Sequence, residues 1–361
     1  MSHRPRAITA LLISVAIGVA GCAGEAPAAR KPPPEPLSSR AASPTPPPEI
    51  TLAFAGDVHF AERTLGLLDD PETAFGPISA QLSAADVAVV NLETAITEGG
   101  TPEPKQFKFR APGSAYQAVK AAGIDAVSLA NNHALDYGHD GLADTLRYAE
   151  EAGVPAFGAG KDAAAAYAPW VTEVRGVKIA VVGLSQIREL AHRWEATEDR
   201  PGIAMAHDLA VAANAVKAAR QQADVVIAYL HWGKEGSECP TERMTVLART
   251  LAEAGATAVI GTHAHLLLGD GWLGNTYVSY GLGNFLWWWN DAYSNDTGVL
   301  RLTLRGPELV GTRFLPARIS YTTGQPLPAE GEHETRISEK FATLRGCTGL
   351  ADSPGQLTDS N

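Results

Sequence analysis

The chain has 361 residues, of which 45% are hydrophobic, and its 29 basic and 40 acidic residues give a net charge of −11 at pH 7. This composition is ordinary for a globular protein with a sizeable core, and the length allows one large domain or two small ones. Because a nucleic-acid partner requires clustered lysine and arginine, the acidic balance argues against one. It is compatible with an anionic substrate, since a bound divalent cation can invert the local field.

The first 21 residues form a predicted export signal. Arg4 and Arg6 provide a short positive segment, and residues 7–20 are an apolar run too short to span a membrane comfortably. The small residues before Cys22 resemble a bacterial lipobox, in which the cysteine is lipidated and becomes the new N-terminus. We therefore expect an extracytoplasmic protein anchored to the bacterial cell membrane through a lipid on Cys22. An ordinary secretory signal and an uncleaved anchor are the alternatives.

Three further segments follow the signal. Residues 22–49 contain nine of the 24 prolines and almost no large apolar side chains, which is typical of an extended, semi-rigid tether. Residues 50–325 are predicted to form the folded domain. Residues 326–361 are predicted to be a C-terminal extension that is partly disordered.

From residue 50 onward, short apolar segments alternate with amphipathic ones. This alternation favours an α/β fold with largely parallel strands. The segment 276–321 has strand-like runs and little helix, which indicates a second sheet or the edge of the first. The predicted strands are 51–55, 86–91, 126–130, 177–184, 225–230 and 258–261, and the predicted helices are 114–122, 141–152, 209–222 and 242–254.

Polar residues follow almost every predicted strand. Ligands of an open α/β sheet bind beyond the carboxyl ends of the strands, so these residues are expected to share one site. They are Asp57 and His59, Asn91 and Glu93, Asn131, Asn132 and His133, His231, Trp232 and Glu235, His263 and His265, and Asn284.

These side chains suit divalent metal ions. Imidazole and carboxylate groups without a thiolate fit Mn²⁺, Zn²⁺, Fe²⁺ or Mg²⁺. Side chains two residues apart on an extended segment point the same way, so Asp57 with His59, and His263 with His265, can each reach a common point. A bridging Glu93 would then support two ions, which can hold a nucleophilic water and a leaving oxygen together.

Three other features each have two interpretations. Cys239 and Cys347 are expected to form a disulfide in an oxidising compartment, with two unpaired thiols as the alternative. The run 287–289, three tryptophans, is either a core-and-rim cluster or a wall of the site. The short basic strip at 105–110 is either a substrate contact or a solvated loop.

The ordered set of strand-end motifs resembles the calcineurin-like metallophosphoesterases. The residues within these motifs are closer to those of the CapA, or PgsA, group linked to poly-γ-glutamate capsule synthesis. The resemblance extends over about residues 51–304. The resemblance implies a four-layer αββα sandwich. The motifs are Gly56-Asp57, Asn91-Leu92-Glu93, Asn131-Asn132-His133, His231-Trp232-Gly233, Gly261-x-His263-x-His265 and Gly281-Leu282-Gly283-Asn284-Phe285.

The resemblance also implies roles for individual residues. His133 would take the place of the catalytic histidine that orients or protonates the leaving oxygen. The carboxylate that normally follows this histidine is replaced by Ala134, and Asp136 is the candidate substitute. Candidate substrate contacts are Asn91, Asn131, Trp232, Glu235 and Asn284. The implied metal ligands are Asp57, His59, Glu93, Asn132, His231, His263 and His265.

Three functions agree with these features. The first is a metal-dependent hydrolase or transferase that acts on poly-γ-glutamate or another anionic polymer of the cell envelope. The second is a secreted metallophosphoesterase. The third is a non-catalytic accessory subunit of a membrane polymer synthase complex, a role that the predicted lipid anchor and tether fit well.

Overall fold

A computed structural model describes Ser14, Ala16 and residues 47–355. The export signal apart from Ser14 and Ala16, the predicted lipidation site Cys22 and almost all of the tether lie outside the described residues. Among the helices described, none is both long and apolar enough to cross a membrane.

The described strands are numbered in chain order. They are β1 (Glu49–Val58), β2 (Val87–Leu92), β3 (Ala95–Ile96), β4 (Arg110–Ala111), β5 (Ala126–Ser128), β6 (Ala156–Phe157), β7 (Ala159–Gly160), β8 (Trp170–Val174), β9 (Val177–Ser185), β10 (Gly202–Ile203), β11 (Val225–His231), β12 (Ala258–Thr262), β13 (Leu267–Leu273), β14 (Thr276–Leu282), β15 (Asn284–Leu286), β16 (Asp296–Arg305), β17 (Glu308–Ile319) and β18 (Pro326–Pro328).

Eight α-helices are described. They are α1 (Ser79–Ser83), α2 (Ser114–Ala121), α3 (Gly138–Ala152), α4 (Ala163–Ala166), α5 (Ala191–Trp194), α6 (Leu209–Arg220), α7 (Glu242–Glu253) and α8 (Glu332–Leu344). Four of them, α2, α3, α6 and α7, agree closely with the four that the sequence predicts. Short 3₁₀ turns cover Glu62–Asp69, Pro71–Thr73, Gly76–Ile78 and Arg345–Cys347.

The main helices begin and end at residues that satisfy their free backbone groups. The side chain of Asp208 accepts hydrogen bonds from the first backbone amides of α6, and Thr241 does the same for α7. Helix α3 ends at Gly153, whose φ of 66° is left-handed and therefore favours glycine. These local signals explain why sequence patterns locate the helices well.

Two sheets carry the fold. The larger has the order β18-β17-β16-β1-β2-β5-β6, with β15 also paired to β1. The smaller has the order β13-β14-β12-β11-β9-β8. The central strands of both sheets are parallel, while β16 to β18 in the larger and β8 and β13 in the smaller pair in antiparallel fashion.

Alternate side chains of the central strands enter two different cores. In β1, Ile50, Leu52 and Phe54 pack between the sheets with apolar residues of β9, β11 and β12. Ala53 and Ala55 point the other way, into a core shared with α2 and α3. Helices α6 and α7 cover the outer face of the smaller sheet in the same manner. The result is the four-layer αββα sandwich that the resemblance implies, so the predicted fold class is confirmed.

The described part of the C-terminal segment, residues 326–355, packs against the domain. Strand β18 extends the larger sheet, and α8 buries Ile337 and Phe341 in a small core with β13. Arg336 holds Asp296 through two short contacts of 2.6 and 2.7 Å.

Cys239 and Cys347 form a disulfide in the structure, with a sulfur–sulfur distance of 2.12 Å. The bond joins the loop before α7 to the turn after α8. It closes a loop with a sequence separation of 108 residues. Closing so long a loop removes much conformational freedom from the unfolded chain, and this is the main reason to expect stabilisation.

Replacing both cysteines with serine is expected to lower the free energy of unfolding by about 2–4 kcal/mol. Urea denaturation under non-reducing conditions measures this change. Adding a reductant to the wild type should produce a similar loss, whereas the double variant should not respond to it. Equal stability of the two proteins would contradict the prediction.

Candidate metal centre

The strand-end residues of the two sheets meet at one edge of the sandwich, because the central strands are parallel and their carboxyl ends lie together. Asp57, near the end of β1, lies at the centre of this edge. Asn91 Nδ2 in β2 donates to Asp57 Oδ1 over 2.7 Å. The backbone N–H of His263, after β12, donates to Asp57 Oδ2 over 3.1 Å. Asp57 therefore links the two sheets.

Two groups of side chains in this region bring their potential ligand atoms within 4.8 Å of one another. The first group is Asp57, Glu93 and His231, and the second is Glu93, His263 and His265. Glu93 belongs to both groups, which is the arrangement expected of a carboxylate that bridges two ions.

Glu93 fits a divalent cation because no hydrogen bond within the described part of the chain satisfies its carboxylate, whose nearest imidazole nitrogen is His231 Nε2, 3.3 Å from Oε1. Its side chain is fully buried, and neither carboxylate oxygen accepts a hydrogen bond from the described residues. Burial, and after it the nearby Asp57 carboxylate, raises the pKa of Glu93 well above its usual value. An unpaired buried charge is costly, and a cation among the neighbouring imidazoles would compensate for it.

The imidazoles around Glu93 are mostly in the form that binds metals. Burial lowers the pKa of His263 well below its usual value and lowers the pKa of His231 to about 3. A neutral imidazole has a free lone pair for a cation. Burial alone would also lower the pKa of His265, but its hydrogen bond to Asp57 and the charge of Glu93 raise it to about 9. A cation binds only the neutral imidazole, so its binding to His265 would release a proton.

The loop after β12 holds His263 and His265 in an unusual backbone conformation. Their φ angles are 88° and 58°, in the left-handed region that non-glycine residues rarely adopt. The prediction that both lie on an extended segment is therefore wrong, although both reach Glu93. His265 Nδ1 lies 2.8 Å from Asn284 Oδ1, which helps to fix the loop. Strain of this kind is concentrated at functional sites.

The remaining two predicted ligands differ in position. Asn132 Oδ1 lies 2.7 Å from His231 Nε2, so this amide borders the first ligand group. His59 belongs to neither group: it is buried, stacks on Trp287 at 4.1 Å, and its Nε2 accepts the backbone N–H of Trp288. A register irregularity between Asp57 and Val58 interrupts the simple alternation that predicted a shared direction for Asp57 and His59. The ligand role of His59 stays a prediction, with Nδ1 as its free atom.

His133 lies beside this centre and is held by the predicted substitute carboxylate. Its Nδ1 is 2.6 Å from Asp136 Oδ2, and its Nε2 is 3.9 Å from Glu93 Oε1. Asp136 is fully buried and also accepts the backbone N–H of Phe109. Asp136 therefore positions His133, as expected of the substitute carboxylate, and it acts through His133 because it is too buried to contact a substrate itself.

Lys105 belongs to the site in a role that the sequence did not predict. Its side chain is only 2% exposed, and Nζ lies 2.9 Å from Asp136 and 3.0 Å from Glu189. Burial raises the pKa of Asp136 to about 7, and Lys105 opposes this rise. Burial and the nearby ammonium group also lower the pKa of His133 well below its usual value. His133 is therefore a neutral imidazole.

The sequence contains a weak signal for Lys105 and none for Glu189. Lys105 opens the basic strip at 105–110, for which substrate contact and solvated loop are the two interpretations. Neither describes Lys105, which is buried against acids, while Lys108 is exposed and donates to the carbonyl of Lys105.

Three predicted substrate contacts are structural residues instead. Trp232 is fully buried in the core beneath α6 and α7 and donates to the carbonyl of Tyr280. Asn91 and Asn131 are fully buried, and Asn131 Nδ2 donates to Asn91 Oδ1 over 3.0 Å. Asn131 Oδ1 in turn accepts the backbone N–H of His133. A substrate cannot reach these three side chains, so these predictions are corrected.

A cleft of about 420 Å³ opens beside His133 and His265. Glu235 and Asn284, the other predicted substrate contacts, both line it. The tryptophan run 287–289 serves both of its predicted purposes. Its first member is 6% exposed and packs on His265, while the next two form part of the cleft wall.

An αββα sandwich with an Asp/Glu/His cluster at the carboxyl ends of its parallel strands is a fold of the metallophosphoesterase type. Residues 51–287 match the family described as bacterial capsule synthesis protein PGA_cap. The chain belongs to this family.

Known proteins with similar sequences carry names from capsule and polymer synthesis. The chain is 26% identical to a capsule biosynthesis protein CapA of Bacillus anthracis, over 78% of this chain and 69% of that one. It is 29% identical to a probable polyglutamine synthesis accessory protein of Mycobacterium tuberculosis, over 73% of this chain and 76% of that one. A crystal structure described as a novel phosphatase from Mycoplasma pneumoniae is 12% identical, with a TM-score of 0.47, over 81% of this chain and 97% of that one.

Proposed function

We propose that this chain is a lipid-anchored, extracytoplasmic, metal-dependent hydrolase or transferase that acts on a poly-γ-glutamate-type polymer of the cell envelope. Membership of a capsule synthesis family supports the biological setting. The observation that carries the metal dependence is Glu93, a fully buried carboxylate without a hydrogen-bond partner that is shared by two groups of potential ligands.

The candidate centre would hold a divalent cation pair through the residues of its two groups. Bound cations of this kind polarise a carbonyl or phosphoryl oxygen and activate water near neutral pH. Asn132, which borders His231, would add an amide oxygen. The residues that would hold the pair are Asp57, Glu93, His231, His263 and His265.

His133 is the residue that would move a proton. Because Asp136 fixes Nδ1, the neutral ring presents Nε2 toward Glu93 and the cleft. In amide hydrolysis the water oxygen bonds to the carbonyl carbon and the carbon–nitrogen bond breaks. His133 Nε2 would accept a proton from the attacking water and return it to the leaving nitrogen.

The direct test is elemental analysis of the purified chain, followed by incubation with γ-linked glutamate oligomers and added Mn²⁺. We expect bound divalent metal and shortening or transfer of the oligomers. A parallel panel of phosphate mono- and diesters tests the second function, since ester turnover that is lost in His265→Ala would support a phosphoesterase.

The accessory role is the third candidate function, and the name of the mycobacterial relative favours it. In that case the purified chain would contain no metal, and Asp57→Ala would leave polymer export intact in cells. The anchor is tested separately: a globomycin-sensitive change in mass is expected if Cys22 is lipidated, and an unmodified secreted form would exclude lipidation.

A further inference from the structure

One wall of the cleft beside the candidate metal centre is formed by a single loop. This loop, residues 287–295, joins β15 to β16 and contains no helix or strand; we call it the tryptophan loop. Its Trp287 packs on His265 with ring centroids 4.5 Å apart. The position of the loop therefore sets the shape of the cleft next to a predicted metal ligand. The loop residues that line the cleft are Trp287, Trp288, Trp289, Asp291, Tyr293 and Ser294.

Arg63, in the first 3₁₀ turn after β1, holds the backbone of the tryptophan loop. Its Nη2 donates to the carbonyl oxygens of Trp287 and Trp289 over 3.1 and 3.0 Å. Its Nη1 donates to the carbonyl oxygens of Ser320 and Tyr321, between β17 and β18, over 3.0 and 2.6 Å. The planar fork of one guanidinium thus joins two segments that are distant from it in sequence.

The segment 320–324 also contacts the tryptophan loop directly. The backbone N–H of Trp287 donates to the carbonyl of Gly324 over 3.0 Å, and Asn290 Nδ2 donates to the carbonyl of Tyr321 over 3.1 Å. Gly324 packs so closely that a Cβ atom there would lie 2.5 Å from the carbonyl oxygen of Trp287. The two segments therefore form one unit, and the guanidinium contacts both of its parts.

Charge balance does not explain the position of Arg63. No carboxylate of the described residues forms an ion pair with it, and its Nε is buried without a hydrogen-bond partner among them. All four of its hydrogen bonds go to backbone carbonyl oxygens. Hydrogen bonds from a charged donor are stronger than neutral ones, so this set restrains the backbone of the tryptophan loop.

We propose that Arg63 is a positioning residue for the substrate, which it serves by holding the tryptophan loop in place as a wall of the cleft. The inference rests on the proposed function, because it concerns how the same cleft receives a γ-linked glutamate chain. The ring faces of Trp288 and Trp289 line the cleft and suit the methylene and amide groups of such a chain. A loop that is already fixed does not have to be ordered when the substrate binds, so Arg63 lowers KM without taking part in the chemistry.

Arg63→Met and Arg63→Lys in the full chain test this proposal. Methionine keeps an apolar stem and loses all four hydrogen bonds. We expect KM for γ-linked glutamate oligomers to rise about tenfold with little change in kcat, because the substrate must then order the loop itself. Lysine keeps the charge without the planar fork, so its KM should lie between the two. Elemental analysis should find the same metal content in both variants as in the wild type.

Hydrogen–deuterium exchange provides a second measurement that does not depend on turnover. In Arg63→Met, the backbone amides of residues 287–295 and 320–324 should exchange faster than in the wild type. Arg301→Met is the matched control. Arg301 also has an Nε without a partner among the described residues, and it also donates to a distant backbone carbonyl, but that carbonyl belongs to Gln81 in α1. This variant should leave KM and the exchange of the tryptophan loop unchanged.

Unchanged exchange of the tryptophan loop in Arg63→Met would overturn the proposal, and so would an unchanged KM in a protein that turns over the oligomers. An equal rise of KM in Arg301→Met would overturn it as well, because a general loss of stability would then explain the effect. If the wild type turns over no oligomer, the proposed function fails by itself, and the exchange result decides whether Arg63 holds the loop. Arg63→Lys supplies the same measurements if the methionine variant does not fold.

Discussion

Glu93→Gln is expected to abolish the binding of divalent metal at the candidate centre, with a loss of affinity of at least about 100-fold. Replacing residues that only support metal ligands lowers affinity about 10–100-fold, and Glu93, which belongs to both groups of potential ligands, would be a ligand itself. Elemental analysis after dialysis against trace metal measures the change, and any metal-dependent turnover should disappear with it.

In the metal-free protein, Glu93→Gln is expected to raise the free energy of unfolding. Glu93 is fully buried, and none of the described residues donates a hydrogen bond to its carboxylate. Its raised pKa means that the folded state resists ionisation, so its stability penalty is absent at low pH and appears as the pH rises past the usual value for glutamate. At pH 7, metal-free Glu93→Gln should therefore be more stable to urea than the metal-free wild type.

Glu235→Gln is the control for both effects. It is the same chemical change at an exposed residue of the cleft wall that belongs to neither ligand group. It should retain the metal and leave the metal-free stability unchanged. If Glu93→Gln keeps its metal, or if its metal-free form is less stable than the wild type, Glu93 is not the bridging ligand.

Above pH 7, where Asp136 is ionised, Lys105→Met is expected to lower the free energy of unfolding by about 3–5 kcal/mol, because it leaves the buried Asp136 carboxylate without its cation. The side chains of the two residues are 2% and 0% exposed. Urea denaturation at pH 9 measures the loss, which should shrink as the pH falls through 7 and Asp136 takes up a proton. Since Asp136 also fixes His133, turnover should fall mainly in kcat, with little change in KM.

Two further variants serve as controls for Lys105→Met. Lys108→Met removes an exposed lysine of the same strip, and its stability should stay within about 0.5 kcal/mol of the wild type. Adding Asp136→Asn to Lys105→Met should restore part of the lost stability, because the unpaired charge is then absent. A loss below about 1 kcal/mol in Lys105→Met would show that the ammonium group does not balance Asp136.

The sequence by itself determined the strands, the main helices and the edge of the sheets at which the site lies. Alternating apolar residues and helix-capping side chains are local signals, and they place elements such as β1, β11, α6 and α7 to within a few residues. The rule that parallel strands present their carboxyl ends together then brings Asp57, Glu93, His231, His263 and His265 to one place, as the structure shows.

Tertiary structure alone decided which polar residues do what within that edge. Lys105 meets Asp136 and Glu189 only because loops far apart in the chain fold against each other, which no local pattern records. Trp232 follows a strand as a site residue would, yet its ring turns into the core. The register irregularity at Asp57 redirects His59. Side-chain roles depend on long-range packing and on backbone irregularities, whereas the elements that carry them depend on local periodicity.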